Sequence, residues 1–161
     1  MNYLLGSVRH AVDSKGRIAI PLRFRSMFTD GDVSRATIID GLGDRCLFAY
    51  PAHRFEPLLR YLSAHQFDNK NIREIVRRIS AFGSTVELDA QGRVPLSDTQ
   101  RRLIGLQNEV LLLGAGDRLE IWRPDEFERR ETPQDFASIM EGIMGEAQSA
   151  VSDDERHGSS K

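Results

Sequence analysis

The block Asp-x-x-Gly-Arg occurs twice in this chain, as Asp13-Ser14-Lys15-Gly16-Arg17 and as Asp89-Ala90-Gln91-Gly92-Arg93, with the copies 76 positions apart. Each copy leads through an apolar stretch into a basic one. Ile18-Ala19-Ile20-Pro21 runs to Arg23 and Arg25, and Val94-Pro95-Leu96-Ser97 runs to Arg101 and Arg102. A second pair of blocks follows at an offset of 73, Gly41-Leu42-Gly43-Asp44-Arg45 and Gly114-Ala115-Gly116-Asp117-Arg118. Each of these leads through a short apolar strand to a proline, Pro51 or Pro124. One supersecondary unit is therefore used twice. Units of about 50 to 60 residues bury little core alone, so the two copies are expected to pack on each other.

Local patterns give both copies the same order of elements. Tyr3–Val12 reads as a strand, Asp13–Gly16 as a turn rich in Asp, Ser and Gly, and Arg17–Ile20 as a second strand. Pro21 suits the first turn of a short helix carrying Arg23 and Arg25. Strands at Ala36–Asp40 and Cys46–Tyr50 complete the first copy. The second copy has strands at Thr85–Leu88, Arg93–Leu96, Glu109–Leu113 and Arg118–Trp122, with a short helix over 98–104.

Two amphipathic helices are predicted between the copies. Phe55, Leu58, Leu59 and Leu62 keep the i, i+3, i+4, i+7 spacing, and so do Ile72, Ile75, Val76 and Ile79. Arg73, Arg77 and Arg78 fall mostly off the second stripe, which leaves them as a solvated face or a further nucleic-acid surface. A helix is expected from Pro124. Another is expected from Thr132-Pro133-Gln134-Asp135, with Phe136, Ile139, Met140, Ile143 and Met144 along one face. From Gln148 the chain is small, polar and acidic, and disorder is expected. The expected organisation is thus a first repeat over 7–54, linking helices over 55–82, a second repeat over 83–126, a C-terminal helix over 127–147 and a tail over 148–161.

The net charge of −2 conceals a division. Residues 1–119 carry 17 Lys and Arg against 13 Asp and Glu, whereas residues 120–161 carry 5 against 11. The repeats are therefore mildly basic, and 15 of their 17 cations are Arg. The guanidinium fork suits phosphate and base edges because it donates two parallel hydrogen bonds. No apolar run approaches the roughly 20 residues of a membrane span, and the N-terminus lacks the pattern of a secretory signal. The single Cys46 excludes an internal disulfide framework and fits a reducing cytoplasm. The chain has no phosphate loop, His-Glu-x-x-His, Cys-x-x-Cys or Gly-x-Ser-x-Gly motif, and its four histidines lack metal-ligand spacing. No catalytic residue, metal site, cofactor or small-molecule substrate is expected, and the chain does not read as an enzyme.

The doubled block makes sense as a loop that presents cations: Asp shapes the turn, Gly permits the reversal and Arg opens the outgoing strand. Two such loops could meet one groove of DNA, with each Arg fork on guanine O6 and N7. The same residues also fit a hairpin whose Arg only pairs with the Asp four positions earlier. Both readings stand on these residues alone.

The chain resembles the MraZ family of bacterial transcriptional regulators, built from two tandem SpoVT/AbrB-like units. The resemblance rests on His10–Arg17, Pro21-Leu22-Arg23-Phe24-Arg25, Phe48-Ala49-Tyr50-Pro51, Val86–Arg93 and Gly116–Trp122. It implies an α+β fold in which two swapped-hairpin repeats interlock into one β-barrel-like core with flanking helices. It also implies DNA contact through Asp13, Lys15 and Arg17 and through Asp89, Gln91 and Arg93, with Arg23, Arg25 and Arg101 as secondary candidates. The partners implied are double-stranded DNA bearing short direct promoter repeats, in the division and cell-wall gene cluster, and further copies of the chain in a ring. Repression, a cytoplasmic, nucleoid-associated location and no membrane partner complete that expectation. The rival is an AbrB-like antitoxin whose C-terminal segment binds a partner protein. Two departures stand out: uncharged Gln91 replaces Lys15, and Ser97 stands where Pro21 stands in the first copy, which makes the local strand-to-helix geometry an open question.

Overall fold

In the computed structural model residues 3–158 are described, and the last part of the expected acidic tail, 159–161, lies outside them. Residues through Glu128 form one compact unit, and those from Arg129 form a second.

The first unit is built on antiparallel strands. β1 (Leu4–Ala11), β4 (Val33–Asp40), β5 (Cys46–Pro51), β8 (Glu109–Gly116) and β9 (Leu119–Trp122) lie in one sheet in the order β1-β8-β9-β5-β4. The two-residue β3 (Thr29–Asp30) continues the sheet beyond β4, and β6 (Ser84–Glu87) also pairs with β4. β2 (Arg17–Ala19) and β7 (Arg93–Pro95) form a separate two-stranded ribbon. The short helices α1 (Leu22–Arg25) and α4 (Asp98–Leu103) follow the ribbon strands, and a 3-10 turn, Ser26–Phe28, follows α1. α2 (Ala52–His65) and α3 (Lys70–Phe82) link the copies, and α5 (Pro124–Glu128) closes the unit.

The copies pair across one another, not only within themselves. β1 of the first pairs with β8 of the second, and β6 of the second pairs with β4 of the first. The fold is mixed α+β, but the sheet is open and does not close into the expected barrel-like core. Its hydrogen-bonded order ends at β1 on one side and at β3 on the other. Closure fails because β2 and β7 pair with each other, so the ribbon covers one sheet face instead of bridging the sheet's ends.

Both faces of the sheet are buried over its middle. Successive side chains of a strand point to opposite faces, so Val110 and Leu112 of β8 enter one core cluster and Leu111 enters the other. The first cluster packs Ile38, Leu47, Leu112 and Ile121 against Ile18, Ile20, Val94 and Leu96 of the ribbon stretches and Phe24 and Phe28. The second packs Ile39, Cys46, Phe48 and Trp122 against Phe55 of α2 and Ile79 of α3. Burial on both faces explains why these strands read as continuous apolar runs.

The predicted helices form, with shifts in what they bury. Asn69 caps α3, its Oδ1 accepting from the Asn71 and Ile72 backbone N–H groups at 2.9 and 3.2 Å. Within the predicted stripes, Leu58 and Ile75 stay exposed while Phe55 and Ile79 are buried. The three arginines beside the second stripe are engaged by the protein. Arg73 donates to the Gln66 carbonyl at 3.0 Å, Arg77 pairs with Glu74, and Arg78 pairs with buried Asp40.

Ser97 keeps the geometry that Pro21 provides. Pro21 at φ −53°, ψ 140° precedes α1, and Ser97 at φ −65°, ψ 157° precedes α4. Ring constraint fixes the first. A capping box fixes the second: Ser97 Oγ accepts from the Gln100 N–H, and the Gln100 side chain accepts from the Ser97 N–H. Gln100 is fully buried, and its amide also donates to the Phe82 carbonyl at 2.9 Å and to Ser84 Oγ at 3.0 Å.

The second unit contains α6 (Phe136–Gly158), which starts three residues after Pro133 and continues through the described part of the segment expected to be disordered. Its small and polar residues include good helix formers, and Ser149 and Ser152 return their hydroxyls to the Gly145 and Gln148 carbonyls. Phe136, Ile139, Met140, Ile143, Met144 and Val151 are exposed on it. Among the described residues, no helix is long and apolar enough to cross a membrane.

Candidate nucleic-acid interface

The two Asp-x-x-Gly-Arg loops open the two strands of the ribbon, and they are built alike. In the first, Asp13 Oδ1 accepts from the Lys15 and Arg17 backbone N–H groups at 2.9 and 2.8 Å, and Oδ2 accepts from Arg17 Nε at 2.7 Å. In the second, Asp89 Oδ1 accepts from the Gln91 and Arg93 N–H groups, both at 2.9 Å, and Oδ2 accepts from Arg93 Nε at 2.7 Å. The Gly16 N–H donates to the Asp13 carbonyl and the Gly92 N–H to the Asp89 carbonyl. Each carboxylate is held below its ordinary titration range, chiefly by the backbone N–H of the arginine four residues on, with partial desolvation opposing it and the arginine side chain adding to it.

The glycines have two jobs. Gly16 and Gly92 sit at φ +73° and +74°, in the left-handed region that glycine adopts without steric cost. Each is also covered by an arginine from the other copy: a Cβ at Gly16 would overlap the Arg101 guanidinium, and one at Gly92 would overlap that of Arg25. Backbone bonds reinforce the crossing, since the Ile20 N–H donates to the Gly92 carbonyl at 2.9 Å and the Leu96 N–H to the Gly16 carbonyl at 3.2 Å.

Charge is distributed unequally. Lys15 stands exposed at the tip of the first loop. In the second, Gln91 Oε1 accepts from Arg93 Nη2 at 3.1 Å. Lysine has no acceptor to offer at that place, and Arg17 turns instead toward the neighbouring loop, with Nη1 at 3.6 Å from Asp89 Oδ2. Asp89 therefore serves both arginines. The Arg17 and Arg93 side chains remain 26% and 32% exposed, each with Nε on its aspartate and one outer nitrogen, Arg17 Nη1 or Arg93 Nη2, also engaged within the loops.

The secondary candidates separate. Arg23 is exposed, its guanidinium against Gly6 and 3.3 Å from the Ser7 carbonyl on β1. Arg25 and Arg101 lie beside the loops, on the glycines of the opposite copies. Sequence reading missed that crossing, although the positions of Arg25 and Arg101, 76 apart like the loops themselves, carried the signal. Among the described residues, no group of three or more His, Cys, Asp or Glu is placed to hold a metal ion.

A strand–loop–strand–helix unit, duplicated and paired across itself so that two arginine-bearing loops meet, defines a tandem-repeat protein. The chain belongs to the MraZ family, whose model, described as "MraZ protein, putative antitoxin-like", matches residues 3–78 and 82–141. A protein from Halothermothrix orenii named transcriptional regulator MraZ is 33% identical over 144 residues, covering 86% of this chain and 97% of its own. Proteins of the same name from Thermomicrobium roseum and Lactiplantibacillus plantarum are 37% and 34% identical, over 75% and 86% of this chain and 82% and 96% of theirs.

Proposed function

We propose that this protein is a transcriptional regulator that binds double-stranded DNA in a sequence-specific way through the paired loops. The observation that carries the reading is the matched pair of loops, each holding an arginine by Nε and leaving its side chain partly exposed. Arg17 and Arg93 read guanine O6 and N7, while Lys15 meets phosphate. Asp13 and Asp89 orient the arginines, and Gln91 orients Arg93. Arg23 is a flanking phosphate candidate. Residues 7–54 and 83–126 are the two DNA-facing units in this reading, and 55–82 link them. The target is a set of short direct repeats in the promoter of the division and cell-wall gene cluster, where the protein acts as a repressor on the nucleoid. Copies of the chain in a ring would place many loop pairs along one duplex, so that individually weak modules bind tightly together. The names of the relatives support regulation of transcription. Selection of bound fragments from the organism's own genome tests it, with Arg17→Ala as control: enrichment of one repeat-bearing promoter that the variant loses is the expected result.

A second reading is favoured by one feature. The exposed apolar stripe of α6 suits a segment that binds a partner protein, as an antitoxin-like regulator would. A pull-down with and without residues 132–161 separates the two.

A further inference from the structure

We infer that Arg25 and Arg101 are reciprocal positioning residues, each bracing the DNA-facing loop of the opposite repeat. Three observations converge. The guanidinium of Arg25 lies over Gly92 and that of Arg101 over Gly16, in the space a Cβ would fill. Backbone bonds tie the same partners: Ile20, two residues before α1, donates to Gly92, and its counterpart Leu96, two residues before α4, donates to Gly16. Both arginines are also fixed from behind, Arg25 by Nε donating to the Ile20 carbonyl at 2.8 Å and Arg101 by Asp98.

The two anchors differ for a readable reason. Position 22 is Leu where the second repeat has Asp98, so Arg25 turns to a main-chain carbonyl and Arg101 to a carboxylate. A flat, delocalised cation suits this place, because it can lie over a glycine and donate sideways at the same time. Each loop is consequently completed by the other repeat. One repeat folded apart from its mate would lack the brace.

Amide hydrogen exchange on the full chain, without DNA, tests the bracing directly. Arg25→Ala is expected to speed exchange about tenfold at the Gln91, Gly92 and Arg93 amides while leaving the Lys15, Gly16 and Arg17 amides unchanged. Arg101→Ala should do the reverse. Acceleration in the variant's own loop, equal acceleration in both, or none in either would overturn the inference. If Arg25→Ala does not fold, Arg25→Lys decides by the same criterion, since an ammonium cannot lie flat over Gly92. The consequence for DNA rests on the function proposed above, whereas the exchange result does not. For DNA, Arg25→Ala combined with Arg93→Ala should lose less affinity than the two single losses multiplied, and combined with Arg17→Ala the losses should multiply. The opposite pattern contradicts the positioning role.

Discussion

Ile18 and Val94 lie directly opposite each other at the centre of the ribbon. They are 76 positions apart, the same interval that separates the two loops. Their neighbours are exchanged in the same sense, with Arg17 opposite Pro95 and Ala19 opposite Arg93. A local two-fold axis therefore passes through the Ile18–Val94 pair, and it relates Arg17 to Arg93. Both side chains are essentially inaccessible to water. Truncating Ile18 to Ala should cost about 2–5 kcal/mol by cavity formation. Chemical denaturation would read it, and both loops should loosen together.

Gly16→Ala and Gly92→Ala should each cost more than the roughly 1–2 kcal/mol of a left-handed residue, because the new Cβ also displaces the arginine from the opposite repeat. Thermal melting checks this. A loss no larger than roughly 1–2 kcal/mol would mean that the arginine does not rest there.

Acid should release the loops. Asp13 and Asp89 titrate below their ordinary value of 3.8, so the ordering they supply is complete above that pH and is lost as pH falls through their lower folded values. The Gly16 and Gly92 amide resonances should stay constant from neutrality down to about pH 5 and move only below the ordinary carboxylate range. Asp13→Asn should abolish the movement in the first loop alone.

Cys46 is buried, and burial together with the nearby Glu120 carboxylate pushes its thiol up to about 12. The thiolate is the reactive form, so alkylating reagents at neutral pH should leave the folded protein unmodified. Labelling should track global unfolding in denaturant.

Gln91→Lys should make the second loop resemble the first. It removes the acceptor that holds Arg93 Nη2 and adds a cation. Affinity for any DNA should rise, and the slope of log affinity against log salt should steepen by about one contact. An unchanged slope would place position 91 away from phosphate.

Much of the fold was legible because each repeat announces itself locally. Asp and Gly mark the loops, apolar runs mark the strands, and the 3.6-residue stripes mark α2 and α3. The barrel-like closure was misread, because nothing local distinguishes a β2 that pairs with β7 in its own ribbon from one that closes a sheet. The helix beyond Gln148 was missed because its polar composition resembles a disordered tail, whereas its i−4 hydroxyl bonds depend on the helix already being formed. At the loops, the Asp13–Arg17 pairing was visible from its spacing. The arginine from the other repeat was not, since Arg25 meets Gly92 only after long-range pairing.

The central claim is that the two loops read DNA, and a binding titration of the full chain tests it most directly. Wild type, Arg17→Ala and Arg93→Ala would each be titrated against a duplex carrying the selected repeat and against a scrambled duplex at one salt concentration. Each variant is expected to lose about 1–3 kcal/mol of discrimination between the two duplexes. Full discrimination by both variants would contradict the account.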